Sequence, residues 1–325
     1  MQNTQDINSI AIVGGGLMGT SIFNYLSHFN IPIVWHKRSD TAKALKKYQR
    51  KLQRALKNNL ISNSDYNFRH DNHIITSEIS DIYTCNLVIE SISEDLTLKR
   101  DLITDLDKKL QKGAIIATNS SSFLPSQLLN NLDRIIGLHF FFPVETKHFV
   151  ELITYKNNET INNFLSKIQL KVLPENYDNA FLLNRMMLKI QTAIFNLSQE
   201  HKLAFEALDS LIEDKLLTHG IFNTMDRIGL DTLYTSVCNY DVLDKDDTIR
   251  PLKEYLKQKV NKGDLGFKSQ NGFFDYKQKT ELDNKIDADI YLPILSNIIE
   301  QAKTWAKSKI NNKEINIDFF IEEYL

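Results

Sequence analysis

The feature that most limits what this chain can fold into is its opening turn. Ser9-Ile10-Ala11-Ile12-Val13 is an apolar run of strand length, Gly14-Gly15-Gly16-Leu17-Met18-Gly19 ends it, and Ile22, Tyr25 and Leu26 follow at helical spacing. A strand, a glycine turn and a helix in that order commit the first segment to a parallel-sheet unit. There Gly14 makes the tight turn, Gly16 lets the backbone approach a pyrophosphate, and Gly19 permits close packing of helix on sheet. The unpaired amides at the helix start, around Leu17 and Met18, then face the phosphates. A GxGxxG turn alone is weak evidence. Its place between strand and helix makes a dinucleotide loop the preferred reading over a purely structural turn.

The alternation continues along the chain. Ile31 to Trp35 reads as a second buried strand, and Thr41 to Leu60 as an amphipathic helix with Leu45, Tyr48, Leu52 and Leu56 on one side. Further strands follow at Leu87-Val88-Ile89, Ala114 to Ala117 and Ile135 to His139, with a helix over Leu96 to Leu110. The fold class expected is α/β, an N-terminal Rossmann-type doubly wound parallel sheet followed by a mostly α-helical C-terminal domain. From Phe181 to Leu216 the apolar positions keep helical spacing, so 1–180 is assigned as the dinucleotide-binding domain and 181–325 as a helical substrate or dimerisation domain. Two domains also suit a length of 325 residues. Within the second, 277–325 is an extra helical tail. In its helices, around Tyr291 to Lys309 and Ile317 to Tyr324, Ile299, Ala302, Ile321 and Glu322 echo Ile190, Ala193, Ile212 and Glu213. That pattern suits either a degenerate repeat or the chance likeness of amphipathic helices.

Charge excludes some partners. With 39 basic and 41 acidic side chains the net charge is −2, so no global field draws the chain to nucleic acid or to a membrane, and any anion site is local. Cys85 and Cys238 are too few and too far apart for a disulfide framework or metal site, and both read as reduced core residues. Residues Met1 to Asp6 lack the basic start of a signal peptide, and no stretch approaches the ~18 apolar residues of a membrane span, so a cytoplasmic location is expected.

The end of the second strand bears on cofactor choice. Roughly 20 residues past the glycine loop, an NAD enzyme usually places a carboxylate for the adenine ribose hydroxyls. Here His36-Lys37-Arg38 stands instead. A carboxylate would repel a 2′-phosphate, whereas a guanidinium binds it in a fork, so NADP is the preferred cofactor. NAD is the alternative, with Lys37 and Arg38 as solvated charges or Asp40 substituting from a shifted turn.

Open parallel sheets put their chemistry at the carboxyl ends of strands. Three segments stand there: Glu90-Ser91-Ile92-Ser93-Glu94, Asn119-Ser120-Ser121-Ser122, and Gly137-Leu138-His139-Phe140-Phe141-Phe142-Pro143, with Glu151 on the apolar segment that follows. A histidine with a carboxylate partner is the usual base for taking a proton from an alcohol while hydride leaves the same carbon. Taken singly, His139 also suits a satisfied core histidine, and 119–122 a polar turn.

Taken together and in this order, the motifs resemble the L-3-hydroxyacyl-CoA dehydrogenase family. Ala180-Phe181-Leu182-Leu183-Asn184-Arg185, the stretch Gly220 to Thr232, and Gly266-Phe267-Lys268 through Gly272-Phe273-Phe274 extend the likeness to about Tyr276. The resemblance implies His139 as catalytic base and Glu151 as its carboxylate partner. It implies Ser121 and Asn184 as the residues holding the substrate's oxygens, and Glu94, Lys99 and Asn119 beside the cofactor. The expected reaction interconverts a 3-hydroxyacyl and a 3-ketoacyl thioester. Two departures stand out: the asparagine that usually precedes the motif's proline is Phe142, and the ribose carboxylate is missing. The tail also exceeds the family's usual end, and either extends a dimer interface or, if the repeat is genuine, replaces a partner subunit's contribution. A homodimer is expected, with a monomer as the alternative.

Lys43, Lys46, Arg50, Arg54 and Lys57 form a basic stripe on the helix begun at Thr41, suited to the phosphates of acyl-CoA, to an acyl-carrier protein, or simply to solvent. The competing functions are a dehydrogenase of a free hydroxy acid, which would ignore that stripe, and a cofactor-binding protein that has lost catalysis.

Overall fold

The computed structural model describes residues 6–155, 159–277, 286–310, 312 and 314–325. Residues 1–5, on which the reading of the N-terminus partly rested, lie outside them. The chain divides into two compact units, 1–180 and 181–325.

The first unit is an eight-stranded sheet: β1 (Ile10–Val13), β2 (Ile33–His36), β3 (His73–Thr76), β4 (Leu87–Glu90), β5 (Ile115–Thr118), β6 (Ile135–Phe140), β7 (Phe149–Ile153) and β8 (Lys171–Glu175). Its helices are α1 (Leu17–Leu26), α2 (Thr41–Lys57), α3 (Asn63–Asn72), α4 (Leu96–Lys109), α5 (Pro125–Leu128) and α6 (Glu159–Lys167). The strand order is β3-β2-β1-β4-β5-β6-β7-β8. Along β1, Ile10 and Ile12 enter the core shared with α1 and α2, while Ala11 and Val13 enter the core shared with α4. Both faces are covered, which is why these strands are continuous apolar runs rather than alternating ones.

The sheet departs from the purely parallel expectation at its β6-β7 pairing, beyond which β7 and β8 both run against the other six strands. β7 runs antiparallel to β6, because the connection over 141–148 is too short to carry the crossover that a parallel neighbour needs. Two further differences are local. The helix read as Thr41 to Leu60 stops at Lys57, where Asn59 turns to φ 56 and Leu60 is left exposed. The next segment, 63–76, forms α3 and β3, which a polar, weakly periodic sequence had concealed.

The second unit is helical among its described residues: α7 (Leu182–His201), α8 (Phe205–Lys215), α9 (Ile221–Ile228), α10 (Leu230–Asp244), α11 (Arg250–Lys262), α12 (Ala288–Lys309) and α13 (Ile317–Tyr324). The run read as Phe181 to Leu216 is broken by Lys202 at φ 52, which ends α7. Phe195, Phe205, Phe222, Tyr255 and Phe273 form a connected aromatic cluster. Ile190 and Ile212 are buried in the first helix pair, Ile299 and Ile321 in the second, so these echoing residues occupy the same kind of position. Cys85 is buried and Cys238 only half-buried, and both are free thiols. Among the described residues, no helix is long and apolar enough to cross a membrane.

Candidate active site

The glycine loop owes its sequence to sterics. Gly14 sits at φ 134, and a Cβ there would stand 2.2 Å from the Ser91 carbonyl oxygen. A Cβ on Gly19 would meet the Gly14 carbonyl oxygen at the same distance of 2.2 Å, so α1 closes onto the turn only as glycine. In front of Gly16 there is open space, with nothing within 4 Å of where a Cβ would be. The first turn of α1 has neither a side-chain cap nor an acidic residue, so its amides, around the exposed Leu17 and half-buried Met18, lack a capping partner. An open cradle lined by helix-start amides fits a dinucleotide pyrophosphate.

At the end of β2, the Trp35 indole donates to the Gly14 carbonyl at 2.7 Å, and the Lys37 ammonium lies 4.9 Å from the Trp35 ring centre. Lys37 lies against the glycine loop, since its Cε would be 2.9 Å from a Cβ on Gly15. A hollow of about 220 Å³ between α1, β2 and α2 is lined by Lys37, Lys43, Lys47 and Lys51, with Asp40 as the one carboxylate in its wall. Of the basic stripe read for an acyl carrier, Lys43 also lines this hollow, whereas Lys46, Arg50, Arg54 and Lys57 lie outside its lining. The missed signal is the spacing 43, 47, 51, which follows the side of α2 turned to α1. Arg38 is exposed and makes no ion pair among the described residues. His36 turns the other way, to the Ser77 carbonyl through Nε2 at 3.1 Å, which leaves its Nδ1 buried and unpartnered among the described residues. Burial holds the His36 pKa below the ordinary histidine value.

His139 and Glu151 owe their meeting to register. They are directly opposed on β6 and antiparallel β7, so both side chains leave the sheet on one face. His139 Nδ1 and Glu151 Oε2 are 2.6 Å apart; the carboxylate is fully buried and the imidazole nearly so. Beside them the Phe141 ring centre lies 4.4 Å from that of His139. Phe142, the departure from the family pattern, is half exposed, and its peptide bond to Pro143 is cis.

The polar residues at the ends of β4 and β5 form one network. Lys99 is 1% exposed and gives its ammonium to Glu90 at 2.8 Å and Glu94 at 3.2 Å. The Thr118 hydroxyl donates to the other Glu90 oxygen. Ser120 and Ser122 both donate to Glu94 Oε1, which leaves Ser121 between them as the half-buried member of the run. Asn119 accepts the Phe140 amide at 2.9 Å, one residue past the histidine. Thus Lys99 is a strut under Glu94 rather than a cation presented at the surface, and the Asn119 side chain ties β5 to the strand that carries His139. The structure therefore gathers His139, Glu151, Asn119, Ser121, Glu94 and Lys99 at one end of the first unit's sheet.

Asn184 lies in the second unit, on the first turn of α7. That unit also holds an acid that sequence reasoning missed. Asp226 is fully buried, accepts the amides of Phe273 and Phe274 and the Tyr276 hydroxyl, and would clash with a Cβ on Gly272. The glycine-bearing stretch of 266–276 is thus folded around one carboxyl, whose pKa burial raises. Among the described residues no group of histidine, cysteine or acidic side chains could hold a metal ion.

Sequence models confirm the likeness. The NAD binding domain of 3-hydroxyacyl-CoA dehydrogenase matches residues 9–169, and the C-terminal domain of the same family matches 181–276. The chain belongs to the 3-hydroxyacyl-CoA dehydrogenase family. It is 26% identical over 288 residues to the human mitochondrial hydroxyacyl-coenzyme A dehydrogenase, covering 83% of this chain and 92% of that one. To the 3-hydroxybutyryl-CoA dehydrogenase of Bradyrhizobium diazoefficiens it is 29% identical over 285 residues, covering 83% and 96%. Among solved structures, the (S)-3-hydroxybutyryl-CoA dehydrogenase of Ralstonia eutropha shares the fold, with a TM-score of 0.72, 24% identity, and coverage of 84% of this chain and all of that one.

Proposed function

We propose that this chain interconverts 3-hydroxyacyl and 3-ketoacyl thioesters with a nicotinamide cofactor. The observation that carries the reading is the buried, strand-registered pair of His139 and Glu151. With Nδ1 held by the carboxylate, proton exchange with the substrate falls to Nε2. In oxidation His139 removes the hydroxyl proton, and Glu151 stabilises the imidazolium that forms. In reduction the same imidazolium returns the proton to the ketone. The resemblance gives Ser121 and Asn184 the role of contacting the substrate's oxygens. A bound nicotinamide supplies or accepts the hydride at C3. Gly14, Gly16 and Gly19, with the amides of Leu17 and Met18, would hold its pyrophosphate, and the Lys99, Glu90 and Glu94 network would shape the wall beside it.

The finer choice of cofactor is NADP. Lys37 against the glycine loop, exposed Arg38, and Lys43 and Lys47 across the hollow supply cations where an NAD enzyme places a carboxylate. The exposed cations of α2 suit the phosphates of the acyl carrier, either coenzyme A or a carrier protein. The resemblance also favours a homodimer over a monomer.

The test compares acetoacetyl-CoA with free acetoacetate as oxidants of NADPH and NADH. Turnover of the thioester with NADPH preferred supports the whole reading. Equal turnover of the free acid would replace it with a hydroxy-acid dehydrogenase, and an NADH preference would remove only the cofactor assignment.

A further inference from the structure

The residues past the family-matched domain reach back to Asn184. α12 lies along α7 and buries Leu295, Ile299, Ala302 and Ala306, one face of a long helix. It leads into α13, capped by Asn316 accepting the Phe319 amide, on which Ile317, Phe320, Ile321 and Tyr324 share one face. Phe320 and Ile321 are buried. Tyr324, on the last turn, donates its hydroxyl to Asn184 Oδ1 at 2.9 Å.

The other end of the same amide is also held. α10 faces the first turn of α7 with two residues four apart. Asp244 takes the Arg185 guanidinium through both carboxylate oxygens, and Tyr240 accepts from Asn184 Nδ2 at 3.2 Å. Arg185 is 2% exposed, so this ion pair is a buried anchor for the helix start. A primary amide has two hydrogens and two lone pairs. Tyr240 takes one hydrogen and Tyr324 occupies one lone pair, which leaves one N–H and one lone pair for a ligand. The terminal torsion of asparagine is broad, and an amide gripped at one end still swings. Gripped at both, it presents its remaining N–H in one direction.

We infer that Tyr324 is a positioning residue for the reaction, fixing the Asn184 amide so that its remaining N–H meets the substrate's oxygen. The extra tail thereby fixes a residue assigned to the substrate rather than only extending the fold. This rests on Asn184 being a substrate contact. The test is a double-mutant cycle of Tyr324→Phe and Asn184→Ala, measuring kcat, KM and Tm with acetoacetyl-CoA. Tyr324→Phe should lower kcat/KM about five- to tenfold, the scale of one lost hydrogen bond, with Tm within ~2 °C of the parent. In the Asn184→Ala background the same change should cost nothing further, because its target is gone. An equal loss in both backgrounds would show a structural role and overturn the inference. Asn184→Ala impaired with Tyr324→Phe fully active would overturn the role of Tyr324 alone. Full activity of Asn184→Ala would remove the substrate contact and with it the inference.

Discussion

Glu151→Gln isolates the electrostatic half of the proposed catalytic pair. The amide keeps the shape and an oxygen acceptor opposite His139, so the register of β6 and β7 and the 2.6 Å contact are preserved. Only the charge is lost. At ~4 Å between charge centres and an effective dielectric of about 20, the Coulomb attraction between imidazolium and carboxylate is roughly 4 kcal/mol. Measured hydrogen bonds to charged groups are worth about 1.5–3 kcal/mol net, the better guide because the amide recovers part of the bond. Every ~1.4 kcal/mol is tenfold in rate, so kcat should fall about 10- to 150-fold. Stability should hold or rise, since a carboxylate with no solvent exposure no longer needs to be kept charged without water. The assay is the initial rate of nicotinamide absorbance change with saturating acetoacetyl-CoA, beside a thermal melt of each protein. A kcat within twofold of the parent at unchanged Tm would refute the claim that the charge of Glu151 serves proton transfer.

Three further outcomes follow from particular contacts. Gly19→Ala places a Cβ 2.2 Å from the Gly14 carbonyl; cofactor affinity should drop at least tenfold by fluorescence titration, and unaltered binding would show that the loop relaxes freely. His73 is buried between the Tyr48 hydroxyl and the Ile31 carbonyl, and desolvation lowers its pKa from 6.5 to about 4. The unfolded chain therefore binds the proton first, stability is full above about pH 6.5 and is lost as pH falls towards 4, by on the order of a few kcal/mol. His73→Gln should flatten that part of a Tm-against-pH curve, and an unchanged slope would contradict the assignment. Asp226→Ala leaves the amides of Phe273 and Phe274 without their acceptor and should destabilise by about 2–4 kcal/mol in urea; a loss under about 0.5 kcal/mol would mean that those amides find water.

Much of the fold was legible because the relevant physics is local. The apolar runs of β1, β4, β5 and β6 are buried on both faces, and a strand of that kind shows in any short window. The glycine loop was legible for the same reason, since its constraint spans only Gly14 to Gly19. What stayed hidden depends on distant partners. β3 carries His73, whose polarity is satisfied by Tyr48 and Ile31, and nothing near it in sequence reveals those partners. The reversal at β7 follows from a short connection, not from residue type. The burial of Lys99 between Glu90 and Glu94 and the bond from the Phe140 amide to Asn119 likewise join separate segments of the chain. Nothing near Asp226 in sequence marks it out, although it accepts the amides of Phe273 and Phe274 and the Tyr276 hydroxyl. That Lys47 and Lys51 line the hollow beside α1 stayed hidden, because the apolar and basic stripes of α2 fix its amphipathicity but not which edge turns to α1.

The central claim is that His139 moves a proton while hydride moves at C3. Its most direct test is a single-turnover measurement of NADPH oxidation by acetoacetyl-CoA, with the parent and His139→Ala each at a concentration above the cofactor Kd. The parent should complete the oxidation, whereas His139→Ala should bind NADPH equally well yet oxidise it at least a hundredfold more slowly, the scale of a lost general acid. Oxidation at the parental rate by His139→Ala would contradict the account.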